Sequence, residues 1–262
     1  MAYEPFENHD DTHLLSLWPV PQFQALLPVL CEGISCRSVG QLSYTRFVEP
    51  EARLSVEMML FLQVCRFGHC TGISFVDCTC IPVCHNKRIR CNKVFRNHAV
   101  VGKSSMGWYF GFKLHLIVNE RGEVLNFMLT KANVDDRDEN VFNRPGDNVF
   151  GKLFADKGYI SQGLSDRLFN DGIQLVTGLR CNMKSKLIPL YDKILQRKRS
   201  VMETVNGELK HVAQSVHSRH RSVFNFAMNA LAAIAAYSFF DKKPSINIDF
   251  CMEDNGGQLT IF

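Results

Sequence analysis

The sequence predicts an α/β fold in which a mixed sheet is flanked by helices. Three observations support this prediction. A short β-type run begins at Gly72, two longer apolar runs separated by a turn follow it, and further strand-like runs then alternate with helical segments. An order of strand, hairpin, strand, helix, strand and helix is typical of α/β domains.

Length and composition favour one main domain with an appendage. The chain has 262 residues, of which 46% are hydrophobic and 21% charged, so it can bury a large core. No repeat, low-complexity tract or Gly/Ser linker interrupts residues 72–240. We therefore predict a helical N-terminal region at 1–70, the main domain at 71–243 and a peripheral tail at 244–262.

The spacing of apolar residues changes from helical to strand-like near residue 72. Leu54–Cys65 has the spacing of a helix. Ile73–Asp77 predicts a short strand that ends at the carboxylate, with a loop over 78–97 behind it. Gly107–Asn119 and Glu123–Thr130 are separated by a turn and predict an antiparallel pair.

The second half of the main domain continues the alternation. Val149–Asp156 and Ile173–Leu179 predict two strands, and between them Ser161–Asp171 predicts a helix that Gly172 stops. A further helix is predicted from about Arg199 to Val212.

Val223–Phe240 is the longest apolar run. Asn225, Asn229 and Ser238 interrupt it and several alanines fill it. We interpret it as a buried helix rather than a membrane span.

Ten cysteines do not indicate a disulfide framework in this chain. The first residues are acidic and lack an apolar leader, so we expect a reducing, cytoplasmic environment. One group is close in sequence, but its spacing is not that of paired Cys-x-x-Cys motifs, which favours buried or incidental thiols over structural zinc. Its members are Cys78, Cys80, Cys84, His85 and Cys91.

Positive charge is concentrated in two stretches, although the net charge is only +4. Residues 84–121 carry eight Lys/Arg against one acid, and residues 180–221 carry ten against three. Residues 1–70 are acidic, with eight Asp/Glu against four Lys/Arg. The two basic stretches indicate a bound polyanion, and the alternative is that they are solvated faces.

Two aspartates and a glutamate form a candidate metal site close in sequence to these basic stretches. Asp77 and Asp156 each end a predicted strand, and Glu203 lies in a predicted helix. Carboxylates at the ends of neighbouring strands can converge, and three of them form a ligand set for two hard divalent cations. Asp135 and Asp136 lie in a turn-like segment, where turn capping and a salt bridge are favoured over metal ligation.

A succession of short blocks carries a family resemblance, which begins at about Leu42 and has few breaks between residues 68 and 247. They include Val83-Cys-His-Asn-Lys-Arg-Ile, Gly102-Lys-Ser-Ser-Met-Gly-Trp-Tyr-Phe-Gly-Phe-Lys-Leu-His-Leu, Asn133-Val-Asp-Asp-Arg, Phe154-Ala-Asp-Lys-Gly-Tyr and Arg197-Lys-Arg-Ser-Val-Met-Glu-Thr-Val-Asn. In these blocks the chain resembles the small bacterial DDE transposases of the insertion sequence 982 family. The resemblance implies a ribonuclease-H-like fold for the domain at 71–243.

The resemblance also implies the catalytic residues. Asp77, Asp156 and Glu203 match the family's two aspartates and glutamate, which implies that they bind two Mg²⁺ ions, for which Mn²⁺ can substitute. Arg199 and Lys210 match an Arg-x3-Glu-x6-Lys signature, and spacings of four and seven place them with Glu203 along one helix stripe. The stripe would face the scissile phosphate. The wider signature has a tyrosine three positions before its arginine, where this chain has a glutamine.

Further basic residues are candidates for phosphate neutralisation. They are Lys87, Arg88, Arg90, Lys103, Lys113, Arg180, Lys184, Arg219 and Arg221. Trp108 could stack on an unpaired base or pack in the core, and the sequence favours these two roles about equally.

Together these features predict a metal-dependent DNA transposase that cleaves the ends of an insertion sequence and transfers the 3′-hydroxyl into target DNA. The predicted partners are the terminal inverted repeats, the target DNA and a second copy of the chain, with no membrane. The predicted location is the bacterial cytoplasm, in association with the nucleoid. Two alternatives are a ribonuclease-H-like nuclease without strand transfer and a DNA-binding remnant without activity. The second is motivated by residues before Leu42, which fall outside the resemblance.

Overall fold

The structure is a computed structural model that describes residues 55–138, 141–142, 149–179, 183, 188–216, 220–246, 250–251 and 260–261. Most of the predicted N-terminal region therefore lies outside the described residues. The candidate DNA contacts Arg180, Lys184 and Arg219 lie outside them as well.

After a first helix the chain forms five strands, then a helix, a sixth strand and three further helices, with short 3₁₀ helices between some of them. The helices are α1 (Ser55–Phe61), α2 (Gln162–Asn170), α3 (Leu190–Lys198), α4 (Val201–His211) and α5 (Val223–Ser238). The strands are β1 (Ile73–Cys84), β2 (Val100–Ser104), β3 (Gly107–Asn119), β4 (Val124–Lys131), β5 (Gly151–Ala155), β6 (Ile173–Thr177), β7 (Phe250–Cys251) and β8 (Thr260–Ile261).

Six strands form one mixed sheet. Its order is β2-β3-β1-β5-β6, and β4 pairs with β3. The β1–β3, β2–β3 and β3–β4 pairs are antiparallel, whereas β1–β5 and β5–β6 are parallel. The α/β class with a mixed sheet and flanking helices is thus confirmed, and the arrangement is that of a ribonuclease-H-like fold.

The first strand is longer than predicted, and Asp77 does not end it. Strand β1 continues to Cys84 and pairs with β3 from Ser74 to Cys84. The prediction of a loop over 78–97 was wrong for 78–84, because the 13-residue β3 offers register partners for Cys78–Pro82 and for Cys84. A register irregularity between Pro82 and Cys84 accommodates the proline, which cannot donate to the ladder.

Strand β2 and helix α3 were also not predicted. Strand β2 pairs with the first half of β3, and helix α3 occupies part of a stretch that looked only basic. The helix predicted from Arg199 begins instead at Val201, because Arg199 and Ser200 form a short turn between α3 and α4. Both residues keep helical φ and ψ.

The sheet has an apolar core on each face. On one face, β1 and β3 pack against α4 and α5 through residues such as Phe75, Leu116 and Ala233. On the other face, Val76 and Ile117 pack with residues of β5 and α2. Successive residues of a strand point to opposite faces, so Asp77 belongs to the α4 face and Cys78 to the α2 face.

Local signals fix several helix ends. The Ser161 hydroxyl caps α2 by accepting a hydrogen bond from the Leu164 amide, and Gly172 follows that helix with φ at +80°. Helix α5 is the predicted apolar helix, and most of its residues are buried. Within the described part of the chain, no helix is long and apolar enough to cross a membrane.

Candidate active site

The parallel pairing of β1 with β5 brings the two predicted aspartates to equivalent positions. The last paired residues are Phe75 and Phe154, whose side chains stack with ring centroids 5.5 Å apart. Asp77 and Asp156 each lie two residues beyond this pair. They therefore lie side by side where β1 and β5 cease to pair, although 79 positions separate them in sequence.

Arg199 lies between these aspartates and contacts both. Its Nη1 is 3.7 Å from Oδ1 of Asp77, and its Nη2 is 3.5 Å from Oδ1 of Asp156. The Arg199 side chain is only 17% exposed, against 54% for Asp156. The turn between α3 and α4 thus places a guanidinium against two carboxylates, which offsets part of their mutual repulsion.

Asn206 completes the environment of Asp77, and sequence reasoning did not single it out. Its Nδ2 donates a hydrogen bond to Oδ2 of Asp77 at 3.0 Å, and its own Oδ1 is buried without a hydrogen-bond partner. The signal was present in the sequence, because Asn206 is three positions after Glu203 and seven after Arg199. These spacings place all three residues on one helical face.

Glu203 and Lys210 lie on this face of α4 but do not contact Asp77. Glu203 is exposed, and its carboxylate makes no ion pair with any other described residue. Lys210 is half-buried in the last turn. The ligand oxygens of Asp77, Asp156 and Glu203 do not all lie within 4.8 Å of one another.

Burial makes Asp77 an unusual carboxylate. Desolvation raises its pKa to about 6, although Arg199 and the backbone N–H of Cys78 act in the opposite direction. The nearby charges of Asp156 and Asp136 add to the increase. The pKa shows that the negative charge of Asp77 is incompletely compensated by the protein itself.

The donor set fits hard divalent cations. Two aspartates, a glutamate and the unpartnered Asn206 Oδ1 are all oxygen donors, the type that Mg²⁺ binds. Burial and the neighbouring carboxylates disfavour the charged form of Asp77. A cation next to Asp77 would stabilise that form. Arg199 supplies only one positive charge against the two aspartates. The site is therefore suited to bind further positive charge.

The candidate DNA contacts are exposed. Lys87 and Arg88 lie in a 3₁₀ helix after β1. The side-chain amide of Asn86, the first residue of this helix, donates a hydrogen bond to the backbone carbonyl of Trp108 at 2.6 Å and so attaches the helix to the start of β3. Trp108 is 63% exposed, so its alternative role in the core does not hold. Lys103 Nζ lies 5.8 Å from the centre of the Trp108 ring. Arg221 is also exposed.

Lys113 does not belong to this exposed group. Its Nζ donates to Oδ1 of Asp136 at 2.9 Å and is largely buried. Asp135 accepts from the backbone and side chain of Arg137, as expected for turn capping with a salt bridge. These hydrogen bonds hold the pKa of Asp135 well below its usual range.

The mixed sheet with two aspartates side by side at adjacent parallel strands defines the class of ribonuclease-H-like α/β proteins. Residues 67–223 match the transposase DDE domain, and the chain belongs to that family. Proteins of this family act on DNA in transposition and recombination, and they use divalent metal ions. No curated protein matches the chain.

Proposed function

We propose that this transposase cleaves phosphodiester bonds at the ends of an insertion sequence and transfers the freed 3′-hydroxyl into target DNA. The observation that carries the proposal is the position of the Arg199 guanidinium between Asp77 and Asp156. Two carboxylates from adjacent strands, one of them largely shielded from solvent, form a site that requires positive charge. This is the environment expected where divalent cations and a phosphodiester meet.

Asp77, Asp156 and Glu203 would hold two Mg²⁺ ions, with Mn²⁺ able to replace them. When bound, the ions activate the attacking water or 3′-hydroxyl and stabilise the leaving oxygen. Asn206 orients Asp77 by donating to Oδ2. Oδ1, which faces Arg199, would become available to a cation when Arg199 turns to the DNA. Glu203 is exposed and lies on the same face of α4 as Asn206. Its side chain would move toward the two aspartates when the metal ions bind.

Arg199 and Lys210 would supply positive charge to the attacked phosphate. Both phosphoryl transfers build negative charge on the phosphate oxygens, and fixed cations nearby lower the barrier. In this proposal Arg199 exchanges its contacts with the carboxylates for contacts with DNA. Its largely buried guanidinium has delocalised charge and planar geometry suited to that exchange.

The DNA would extend from the carboxylates to the exposed basic surface. Lys87, Arg88, Lys103 and Arg221, together with Arg219, would neutralise phosphates, and Trp108 would stack on an unpaired base. We further propose that two copies of the chain act as a homodimer on the paired element ends. The proposed location is the bacterial cytoplasm, at the nucleoid.

A two-stage assay tests the proposed reaction. The purified chain is incubated with Mg²⁺ and a plasmid that carries its gene with the flanking DNA, and cleavage at the flanks is mapped. Pre-cleaved ends bearing a 3′-hydroxyl are then supplied with a target plasmid. We expect cleavage in the first stage and covalent joining in the second. Cleavage without joining would indicate a nuclease, and DNA binding without either reaction would indicate a remnant.

A further inference from the structure

A second cluster of side chains with metal-binding atoms lies on the opposite face of β1 from Asp77. It consists of Cys78, His115 and Asp136, whose ligand atoms all lie within 4.8 Å of one another. Among the described residues it is the only such group of three or more His, Cys, Asp or Glu side chains. The proposed catalytic site does not use these three side chains.

The sheet itself sets two members of the cluster together. Cys78 in β1 is the direct register partner of His115 in β3, and partners in an antiparallel pair project from the same face. Asp136 reaches them from the segment after β4, where Lys113 binds its Oδ1. A carboxylate has two oxygens, so Lys113 leaves the second oxygen of Asp136 available.

His115 is arranged as a metal ligand would be. It is 2% exposed, and its Nε2 lies 2.9 Å from Oγ1 of Thr130, while its Nδ1 is buried without any partner. A ligating histidine typically uses one nitrogen for the metal and is oriented through a hydrogen bond at the other. Burial lowers the pKa of His115 to about 4, so the ring is neutral near pH 7 and one of its two nitrogens carries a lone pair.

We propose that Cys78, His115 and Asp136 form a binding site for a borderline transition-metal ion such as Zn²⁺. A thiolate, an imidazole and a carboxylate suit such an ion rather than Mg²⁺, which prefers oxygen ligands. This ligand set differs from the sequence cluster of Cys78, Cys80, Cys84, Cys91 and His85, because the strand register brings in residues that are far away in sequence.

The dimensions are compatible with modest adjustment. Tetrahedral bonds of about 2.0–2.3 Å place ligand atoms about 3.5 Å apart. Atoms that lie within 4.8 Å of one another therefore need to approach by about 1.3 Å at most. Three protein ligands leave a fourth position for water. Burial and the Asp136 carboxylate raise the pKa of the Cys78 thiol, so metal binding would release its proton.

The site would connect three elements next to the catalytic carboxylates. It joins β1, β3 and the segment after β4, and Cys78 is adjacent to Asp77 in sequence. An ion bound there would stabilise the folded chain by binding it in preference to the unfolded chain. The inference does not depend on the proposed transposition reaction, because metal binding is measured without DNA.

Cobalt(II) titration of the reduced, metal-free full chain tests this site. Cobalt replaces zinc and gives a near-ultraviolet thiolate-to-cobalt charge-transfer band, which the oxygen ligands of the Mg²⁺ site cannot produce. We expect one such band per chain, lost in Cys78→Ser, and at least about tenfold weaker cobalt binding in Asp136→Asn. Thr130→Val should weaken it about tenfold while leaving all three ligands in place.

Cys84→Ser is the matched control, because Cys84 lies in the same strand with similar burial but outside the cluster. We expect it to keep the band and the affinity. The proposal is overturned if Cys78→Ser retains the wild-type band, or if cobalt binds the folded wild-type chain without a thiolate band. It is equally overturned if Asp136→Asn and Thr130→Val, both folded by circular dichroism, bind cobalt as tightly as the wild type.

Discussion

At the residue scale, Asp77 combines burial with several electrostatic neighbours. Burial opposes its charged form most strongly, Asp156 and Asp136 add to this effect, and Arg199 and the backbone N–H of Cys78 act in the opposite direction. The protein therefore keeps a carboxylate whose charge it does not fully compensate. Such perturbed groups cluster at functional sites, where a ligand or ion supplies the missing compensation.

The raised pKa of Asp77 predicts a pH-dependent stability of the metal-free protein. The folded state holds the Asp77 proton up to about pH 6, whereas the unfolded state releases it near 3.8, so stability decreases as pH rises through this window. Asp77→Asn should remove this loss. Urea unfolding in EDTA should show the variant more stable at pH 8, by up to about 3 kcal/mol.

The difference should shrink to near zero at pH 4, where Asp77 is protonated in the folded state. Asn in place of Asp77 can still accept the hydrogen bond from Asn206. Equal stability of the two proteins at pH 8, or a difference that persists unchanged at pH 4, would contradict this explanation.

At the element scale, the sequence allowed most strands and helices to be predicted but not the length of β1. The β-type run Ile73–Asp77 was recognised, whereas Pro82 and the cysteines resembled a loop. Pairing with β3 decided the outcome, and such long-range pairing leaves no local signal. The β1–β5 register, which aligns Asp77 with Asp156, is likewise a property of the assembled sheet.

The candidate site was predictable to a similar degree. The three acids and Arg199 were identified from motifs, but the bridging position of Arg199 required the turn between α3 and α4. His115 was not recognised as a metal-binding candidate, because its partner Cys78 becomes a neighbour only through strand register. Asn206 was overlooked although helix periodicity pointed to it.

Close packing of β3 against β1 gives a prediction at this scale. A Cβ at Gly111 would lie 2.1 Å from the Ile81 carbonyl oxygen, whereas one at Gly207 in α4 would meet nothing within 4 Å. Gly111→Ala should therefore destabilise the fold by about 2 kcal/mol or more. Gly207→Ala should stabilise it by about 0.5–1 kcal/mol. Urea unfolding of both variants checks this, and a neutral Gly111→Ala would contradict the close contact.

At the scale of the whole molecule, the basic surface and the carboxylates are linked by β1. Seven residues separate Asp77 from Cys84, which is about 23 Å at about 3.3 Å per residue. The 3₁₀ helix with Lys87 and Arg88 follows directly. Because base pairs rise by about 3.4 Å, a duplex that contacts both regions would extend about seven base pairs between them.

Two substitutions on this surface should affect DNA binding differently. Lys87→Gln should reduce the slope of log affinity against log salt by about one, because one phosphate contact is lost. Trp108→Ala should weaken binding to DNA with unpaired bases by about 1–3 kcal/mol without changing that slope. Fluorescence anisotropy across salt concentrations measures both effects.

Lys242→Gln is a control for charge alone, because Lys242 is exposed and lies after α5. It should leave the slope unchanged. If Lys87→Gln and Lys242→Gln change the salt slope equally, the surface that carries Lys87 and Trp108 does not bind the DNA.

Asp156 offers the most direct test of the proposed chemistry. Asp156→Asn keeps the size of an exposed side chain but removes the charge that faces Arg199, and Asp166→Asn makes the same change at an exposed residue of α2. The measurement is Mg²⁺-dependent cleavage of flanking DNA by the wild type and both variants. We predict that Asp156→Asn loses at least about 100-fold in cleavage rate while binding DNA normally, and that Asp166→Asn cleaves like the wild type. Wild-type cleavage by Asp156→Asn in Mg²⁺ would contradict the assignment of Asp156 to the catalytic site.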